Sequence, residues 1–537
     1  MLTKHPLAWV TVISSLCISL PLLVIITTFF TGSFQLWQHL YETVLSDYLI
    51  NSFWLVLGVG SGVLLIGVPT AWIISSYDFP FKRIFSWALL LPLAMPAYII
   101  AYTYTGMLDF AGPVQTSIRE LTGWQAGDYW FFNIRSLPGA IAMLTLVLYP
   151  YVYLLARSAF LEQSASLIEA GRSLGYSYKQ TILNLSLPLA RPAIIAGVTL
   201  ALMETLADFG TVQYFGVNTF TTGIFRAFYS FGDTAAATQL ATILLSFVAL
   251  LIFVERYSRR QIRYHTVRGK PLKQIHLTGK KAYIAFLICL LPLLFGFLIP
   301  ALQLAYWALF KAEYEETFLS LAWNSFYLAL AAALIASSLA LIFAYAKRLH
   351  SQQKTITTVT SMASMGYALP GTIIAIGVIV PFSWFDHQII DFAKRWFDVN
   401  PGLVFSGTLI SLLFAYTVRF LAVSFGAIDS GLQKIKPNLD DAGRSLEHKP
   451  IQILKLIHFP LLRNSVLTAM LIVFVDVLKE LPATLILRPF NFNTLSVRAY
   501  ELASDERLID AAPSSILIVL VGLIPAILLS RSIDKSK

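Results

Sequence analysis

The chain has 537 residues, of which 57% are hydrophobic and only 13% charged, with a formal net charge of +10. This composition excludes a soluble globular protein, because a core of ordinary size could not hold so many apolar side chains. A helix crosses the roughly 30 Å apolar layer of a bilayer with about 20 apolar residues. An open strand would leave its backbone groups unpaired in lipid. We therefore predict an all-α integral membrane protein.

Twelve apolar segments are long enough to span a membrane. In chain order they cover residues 7–30, 52–75, 87–108, 137–155, 192–212, 236–254, 282–309, 321–346, 357–382, 403–423, 465–486 and 513–529. The first segment has only Lys4 and His5 before its apolar run and no small-residue cleavage site after it, which favours a retained anchor over a removed signal peptide. The two cysteines, Cys17 and Cys289, lie in apolar segments and indicate neither a disulfide nor a metal site.

The positive charge is unevenly distributed along the chain. Segment 31–50 contains no Lys or Arg, whereas basic residues crowd between the sixth and seventh apolar segments. These residues are Arg256, Arg259, Arg260, Arg263, Arg268, Lys270, Lys273, Lys280 and Lys281. Basic loops of membrane proteins stay in the cytoplasm, so we predict that both termini are cytoplasmic. We interpret residues 256–281 as a basic cytoplasmic linker that sets the topology, not as a site for lipid or nucleic acid.

One stretch of the sequence occurs twice. Residues 169–188 read EAGRSLGYSYKQTILNLSLP, and residues 441–460 read DAGRSLEHKPIQILKLIHFP. Matched positions lie 272 residues apart (441 minus 169), and the same distance separates Arg226 from Arg498. A constant spacing over so much of the chain indicates an internal duplication.

Each copy carries six apolar segments in the same order and, by the charge rule, in the same orientation. Asn51-Ser52-Phe53 also recurs as Asn324-Ser325-Phe326, 273 positions later. We therefore predict two parallel six-helix membrane repeats, residues 1–255 and 282–537. Parallel repeats in transporters are related by an axis along the membrane normal, and we expect a pathway at their interface.

Each repeat contains a polar loop of about thirty residues, which is longer than a connection between two helices requires. The loops cover residues 158–190 and 427–460. The sequence around Glu169 favours a short helix that ends where Gly175 adopts a left-handed conformation. A long loop that is present in both repeats indicates a docking surface.

These loops resemble the cytoplasmic signature of permease subunits in binding-protein-dependent ABC importers, which is Glu-Ala-Ala, three residues, Gly, nine residues, then Ile-x-Leu-Pro. The first loop matches it with Glu169, Ala170, Gly171, Gly175, Leu185, Leu187 and Pro188. The second loop matches it with Asp441, Ala442, Gly443, Ile457, Phe459 and Pro460. It departs at Glu447, where the family has glycine. Because Glu tolerates a left-handed backbone poorly, the sequence leaves the turn of the second loop open.

The resemblance implies that each loop helix docks into a cleft of an ATP-hydrolysing subunit, which gives two copies of an ABC ATPase as partners. The implied docking residues are Glu169, Ala170, Gly171, Gly175, Asp441, Ala442, Gly443 and Glu447. The chain itself has no GxxxxGK[ST] phosphate loop. We therefore expect it to bind no ATP or other cofactor and to have no enzymatic activity. The resemblance also implies a bacterial inner-membrane location, surrounded by membrane lipid.

Three further stretches extend the resemblance to nearly the whole chain. Residues 89–106, 203–233 and 476–512 look like the fused permeases of ferric-iron importers, which receive their substrate from a periplasmic binding protein. Related permeases for thiamine, sulfate, phosphonate or polyamine share the docking loop and are alternatives. The residues themselves contain no Cys/His or carboxylate cluster with metal-ligand spacing, so no metal site is predicted.

Four acidic residues occupy matching positions in the fifth and eleventh apolar segments: Glu204, Asp208, Asp476 and Glu480. The i, i+4 spacing predicts that each pair lies on one helix face. A charge near the bilayer centre costs about 2.5 to 3.5 kcal/mol, so these faces should turn to protein or water. We expect them at the interface between the repeats.

Two roles are open for these acids. As pathway residues they would form an acidic constriction for a cation. As structural residues, which we favour, they would have a cationic partner or cap a broken helix. The candidate partners are Lys479, Arg226 and Arg498, and the candidate breaks lie near Gly210 and Pro482.

The third apolar segment contains Pro96, which recurs as Pro370 at a spacing of 274. Proline interrupts the hydrogen-bond ladder of a helix. Tyr98 and Tyr102 follow Pro96 near helical spacing. The pattern predicts either a kinked, hydroxyl-lined gate or an aromatic packing surface.

A different class, the ion-coupled secondary transporter, would also have twelve spans and buried carboxylates. That class does not explain two docking loops, and its usual inverted repeats are not apparent. A membrane-embedded enzyme lacks a nucleophile, acid/base or metal constellation. The favoured function is an ABC-importer permease. Its loops 109–136 and 489–510 face outward by the predicted topology and are candidates for contact with the binding protein.

Overall fold

The computed structural model describes residues 6–29, 34–125, 127–163, 171, 173, 175–260, 274–350, 353–363 and 366–534. Within these ranges the chain is helical apart from loops and one short parallel strand pair, β1 (Tyr77–Asp78) and β2 (Ile275–His276). This confirms the all-α prediction. Within a bilayer, a helix satisfies the backbone hydrogen bonds of a segment inside that segment.

The described helices are numbered in chain order. Those of the first half are α1 (Pro6–Phe29), α2 (Phe34–Thr43), α3 (Leu45–Ser76), α4 (Lys82–Ala88), α5 (Ala97–Leu108), α6 (Pro113–Thr122), α7 (Leu137–Glu162), α8 (Tyr178–Thr181), α9 (Leu187–Ala207), α10 (Gly210–Tyr214), α11 (Phe220–Tyr229) and α12 (Thr234–Arg260). Those of the second half are α13 (Gly279–Leu293), α14 (Ile299–Phe310), α15 (Phe318–Leu349), α16 (Lys354–Ala363), α17 (Gly371–Phe397), α18 (Leu409–Gln433), α19 (Asn438–Ser445), α20 (Pro450–Ile453), α21 (Phe459–Leu478), α22 (Pro482–Leu487), α23 (Leu495–Ser504) and α24 (Ala512–Asp534).

Ten helices of the described chain are long and apolar enough to cross a membrane. They account for ten of the twelve expected spans, although the ninth begins at Gly371 and not at 357. The expected span 87–108 is instead a bent pair, Lys82–Ala94 and Ala97–Thr122, with an angle of 91° at Pro96. The expected span 513–529 lies in α24, whose apolar part, Ala512–Pro525, is shorter than these ten helices. Proline removes a backbone donor, which explains why the third span is broken and not merely kinked.

The duplication is visible in the pattern of helix irregularities. A π-helical turn at Ile182–Ser186 joins α8 to α9, and its counterpart at Leu454–His458 joins α20 to α21. Pro96 and Pro370 each follow a short 3₁₀ turn and precede the first residue of a helix. The two repeats therefore share local backbone conformations as well as sequence.

One compact unit consists of Met1–His39, Ile224–Ile243 and Glu315–Arg498. Helices α15, α18 and α21 pack against one another in it, and α17 packs on α18 and α22. Helix α1 packs on α16 and α17. The first helix of the chain therefore belongs to the unit built by the second repeat.

The other compact unit consists of Leu40–Gly223, Leu244–Tyr314 and Ala499–Lys537. Helices α3, α7 and α9 form its central bundle and correspond by the repeat spacing to α15, α18 and α21. Helix α13 packs on α3 and α4, and α14 packs on α5 and α24. The first helices of the second repeat therefore join the unit built by the first repeat.

The compact units thus differ from the sequence repeats 1–255 and 282–537. Within the predicted linker 256–281, residues 256–260 extend α12 and residues 279–281 begin α13. Residues 261–273 lie outside the described chain. The repeat boundaries therefore divide the sequence and not the compact units, since each repeat contributes residues to both units.

The contact of α1 with α17 gives a testable prediction. A Cβ added at Gly377 of α17 would lie 2.7 Å from the backbone oxygen of Pro21 in α1, whereas one at Gly426 of α18 would meet nothing within 4 Å. Overpacking costs about 1–3 kcal/mol, and alanine is favoured over glycine in a helix by about 1 kcal/mol. We expect Gly377→Ala to lower the apparent melting temperature of the purified protein and Gly426→Ala to leave it unchanged or raise it. Equal shifts would contradict the packing of α1 on α17.

Candidate docking loops and buried charge sites

The helix predicted to dock in the second loop is α19. Asp440 and Asp441 lie in its first turn, where a negative charge stabilises the helix dipole. Asp441 and Ala442 are exposed, as a docking surface requires. Gly443 is buried instead, and an added Cβ there would lie 3.0 Å from Ile453. Its small size therefore allows α19 to lie against its own chain, which differs from the close approach to an ATPase that the resemblance implies.

The turn that ends this helix is the same in both loops. The amide of His448 donates to the carbonyl of Gly443 at 3.1 Å, and the amide of Tyr176 donates to the carbonyl of Gly171 at 3.0 Å. Gly175 has φ +82° and Glu447 has φ +58°. This is the six-residue closure that ends helices with a left-handed residue. Glu447 thus adopts the same left-handed backbone conformation as Gly175. This answers the question about the turn of the second loop that the sequence left open.

The first docking helix lies mostly outside the described residues. Glu169 and Ala170 belong to that part of the chain, so their predicted contact with an ATPase has no structural description. Gly171 is buried, and an added Cβ would lie 2.7 Å from the side chain of Thr181. This matches the position of Gly443 against its own chain.

A partly buried charge network holds α19 against the ends of α15 and α18. Arg348 donates to a carboxylate oxygen of Asp440 at 2.8 Å and to the carbonyl of Leu432 at 2.6 Å. Asp440 also contacts Nε2 of His458, whose side chain is fully buried. Lys347 forms a second ion pair with Asp429 at 2.8 Å. The second docking helix is therefore anchored from two sides by its own membrane helices.

This anchor was not predicted from the sequence. By the repeat spacing, Ser75, Ile168 and Ser186 occupy the positions of Arg348, Asp440 and His458. A usable signal was present in the sequence: charged residues stand at positions where the other repeat is neutral. The anchor therefore belongs to the second repeat and makes the two docking loops unequal.

The predicted acids Asp208 and Glu480 cap helices that begin at breaks inside the bundles. The carboxylate of Asp208 accepts from the amides of Thr211 and Val212, both at 3.1 Å. The carboxylate of Glu480 accepts from the amides of Ala483 and Thr484, both at 3.0 Å. A side-chain oxygen at this position satisfies amides that have no partner within the helix.

The second-repeat cap carries an additional charge partner. Arg419 of α18 donates to Glu480 at 2.7 Å, and the two side chains are 12% and 2% exposed. An added Cβ at Gly371 would lie 2.5 Å from the guanidinium and 2.6 Å from the carboxylate, so a larger residue there would displace the pair. By the repeat spacing, Val147 and Ala97 stand at the positions of Arg419 and Gly371. The buried ion pair is thus absent from the corresponding positions of the first repeat.

The prediction that each acidic pair shares a helix face was wrong. Helix α9 ends at Ala207 and α21 ends at Leu478, so Asp208 and Glu480 lie beyond the helices that hold Glu204 and Asp476. The caps turn these two carboxylates toward the following helix instead of along the preceding one.

The predicted pairing of these acids with Lys479 is present, whereas Arg498 pairs with a different acid. Lys479 pairs with Asp476 at 2.8 Å, and Arg498 pairs with Glu315. Arg226 and Glu204 are half-buried. Arg419, which was not among the predicted partners, pairs with Glu480.

Tyr98 and Tyr102, the candidate gate residues, lie on α5 directly after Pro96. They are 5% and 1% exposed. Tyr102 packs edge-on against Tyr214 with ring centroids 6.5 Å apart. The geometry is that of an aromatic packing surface within one unit, and it gives no structural indication of a gate.

An ion-pair cluster joins two of the loops that were predicted to face outward. Arg135 donates to both carboxylate oxygens of Glu506, at 2.7 and 2.8 Å, and to Asp109 at 3.0 Å. The hydrogen bonds from Arg135 hold the pKa of Glu506 below its usual range. The cluster fixes the start of α7 to the loop between α23 and α24.

Within the described ranges, no three His, Cys, Asp or Glu side chains are grouped where they could hold a metal ion.

The buried pair at the second break gives a stability prediction. Glu480→Gln leaves the guanidinium of Arg419 without its counter-charge, which costs about 3–5 kcal/mol for a buried pair. Asp208→Asn is the matched control, and we expect it to cost less than about 1 kcal/mol, since asparagine also caps helices. The double variant Arg419→Met/Glu480→Gln should recover most of the loss. The apparent melting temperature in detergent measures all three, and equal losses in the two single variants would contradict the assignment.

Comparison with known proteins identifies the class of membrane protein. Residues 62–264 match the family described as the binding-protein-dependent transport system inner membrane component. The "Fe(3+)-transport system permease protein FbpB 2" of Haemophilus influenzae is 25% identical over 98% of this chain and 99% of its own length. The "Ferric transport system permease protein FbpB" of Actinobacillus pleuropneumoniae is 25% identical over 75% of this chain and 59% of its own length.

Shorter relatives match less than half of the chain. The "Molybdenum transport system permease protein ModB" of Escherichia coli is 25% identical over 41% of this chain and 98% of its own length. A permease of this class works with a separate ATPase and a substrate-binding protein. The family match covers residues 62–264, and the alignment with the Fe(3+)-transport permease covers nearly the whole chain. Both findings support a multi-pass inner-membrane permease subunit of an ABC importer.

Proposed function

We propose that this permease provides the membrane pathway for ferric iron, delivered from outside by a binding protein. The observation that carries the proposal is the alignment with the Haemophilus influenzae Fe(3+)-transport permease over 98% of this chain. A substrate handed over by a binding protein needs only a transient path, so the proposal requires no resident metal site. The chain binds no cofactor of its own, and its partner subunit hydrolyses ATP.

We further propose that two ATPase subunits dock on the cytoplasmic side, one at each loop. Helix α19 presents the exposed Asp441 and Ala442 to one of them, and Glu169 and Ala170 serve the other. The basic residues between α12 and α13 support a cytoplasmic position for this side and for both termini. Closure of the ATPases would move the docking helices and, through the anchor at Arg348, the ends of α15 and α18.

A second candidate is an oxyanion substrate. It is favoured by relatives named for sulfate and molybdenum transport, which match 37–41% of this chain at 25–28% identity. These matches cover about one repeat, whereas the iron-transport relative covers both.

Uptake by proteoliposomes that contain the permease, its ATPase and its binding protein tests the substrate. We expect labelled ferric iron to enter only with ATP and without an ion gradient, and labelled sulfate, molybdate and thiamine to stay outside. Asp441→Lys, which alters an exposed residue of α19, is expected to abolish ATP-dependent uptake while the protein still folds. ATP-dependent uptake of sulfate or molybdate would establish the second candidate. Gradient-driven uptake without ATP would contradict the ABC mechanism.

The two docking turns give a second prediction. Gly175→Glu places a side chain at φ +82°, and a left-handed conformation costs a non-glycine residue about 1–2 kcal/mol. Glu447→Gly removes the corresponding strain from the second loop. We expect Gly175→Glu to reduce the binding-protein-stimulated ATPase rate of the assembled transporter more than Glu447→Gly does.

Gly175→Ala is the control for the effect of charge. An added Cβ at Gly175 meets nothing within 4 Å, so alanine introduces the backbone strain without a clash or a carboxylate. We expect this variant to lie between wild type and Gly175→Glu. Equal rates for Gly175→Glu and Glu447→Gly would show that the two docking contacts are equivalent.

A further inference from the structure

An apolar groove lies between α3 and α9 on the surface of the unit that holds the first repeat. Its volume is about 540 Å³, within the roughly 300–1,000 Å³ typical of ligand sites. Leu64, Leu65 and Val68 of α3 line one side, and Leu183, Leu187 and Ile194 line the other. Leu65 is 76% exposed and Leu183 is 51% exposed. Both helices belong to membrane spans, so the groove opens toward lipid.

One cation lies among these apolar residues. Arg191 lines the groove, is exposed, and falls within the candidate span Lys179–Ala207. Among the residues that the structure describes, it has no hydrogen-bond or ion-pair partner. A charged side chain in a membrane span is costly unless it meets a counter-charge or reaches the interface. The groove therefore combines an apolar floor with an uncompensated positive charge.

The direction of α9 indicates where that charge points. Side chains on a helix tilt toward its N-terminus, and the N-terminus of α9 follows the first docking loop. The guanidinium of Arg191 is thereby directed to the headgroup level on the side of the docking loops. A guanidinium binds phosphate through paired hydrogen bonds, while Leu64, Leu65 and Ile194 offer a surface for an acyl chain.

We propose that Arg191 and the adjoining groove bind one anionic phospholipid of the leaflet that faces the docking loops. The phosphate contacts Arg191, and an acyl chain lies along α3. The bound lipid contacts Leu183 and Leu187, at the start of the helix that follows the first docking loop. The site depends on the membrane location of the chain and not on the identity of the transported substrate.

The second repeat supplies a matched comparison. Arg463 stands at the position of Arg191 by the repeat spacing, and it is also exposed. Ser337 and Ser338 replace Leu64 and Leu65, and Lys455 replaces Leu183. The second repeat therefore keeps the arginine and part of the apolar lining, but it has polar residues in place of three of the six apolar ones.

Photo-cross-linking of lipid to the full-length permease tests the proposal. The protein is placed in nanodiscs of phosphatidylethanolamine with a minority of phosphatidylglycerol that carries a photoreactive acyl chain, and the labelled peptides are mapped. We expect labels on residues 64–69 and 183–194. Arg191→Gln should reduce this labelling about fivefold, the effect of one cation near an anionic lipid. Arg191→Lys should retain most of it.

Arg463→Gln is the matched control and should leave labelling of these peptides unchanged. Equal reductions in Arg191→Gln and Arg463→Gln would indicate general charge attraction and overturn the proposal, as would unchanged labelling in Arg191→Gln. Added inorganic phosphate should not displace the lipid; displacement would show a simple anion site instead. Melting temperatures of all variants close to wild type establish that the comparison concerns folded protein.

Discussion

Backbone groups at helix breaks inside the bilayer need partners from the protein, because no bulk water is available there. The chain has such breaks at equivalent places in both repeats, and a carboxylate caps the helix that follows each one. Asp208 serves α10 and Glu480 serves α22 through the same two amide positions. Without them, the short helices would leave unpaired amides in an apolar environment, at a cost of several kcal/mol.

The two repeats satisfy this requirement with different electrostatics. In the second repeat, Glu480 is ionically paired with Arg419, and the docking helix α19 is tied down by Arg348. In the first repeat, neutral residues stand at the positions of both arginines. A buried pair contributes little net stability but penalises arrangements that separate its members. The charged repeat is therefore held more specifically in one arrangement, while the neutral repeat depends on packing.

The exchange of terminal helices between the repeats follows from the same bundles. Each three-helix centre, α3 with α7 and α9 or α15 with α18 and α21, leaves an apolar flank. Helix α1 packs on α17 in one unit, and α13 packs on α3 in the other. Each repeat thereby contributes a helix that covers the unit built mainly by the other repeat. This arrangement makes a fused chain more than two copies joined by a linker, since neither unit is formed by one repeat alone.

The class of the fold was predictable from the sequence because it depends on composition, segment length and a constant repeat spacing. The two repeated polar loops were recognisable from a local motif, and the acids at 208 and 480 from their occurrence in apolar segments. The sequence did not predict that Glu447 would adopt a left-handed backbone, because that conformation is stabilised by a hydrogen bond from His448 to Gly443.

The partners of the acids, the buried positions of Tyr98 and Tyr102 and the exchange of terminal helices were decided by tertiary structure alone. Arg419 and Glu480 are 61 residues apart and meet only because α18 packs beside the second break. Helix periodicity specifies which residues share a face, but not which helix lies opposite that face. The sequence by itself therefore determined a duplicated membrane permease with two repeated polar loops. Helix packing determined which charges are paired, since pairing depends on contacts between distant segments.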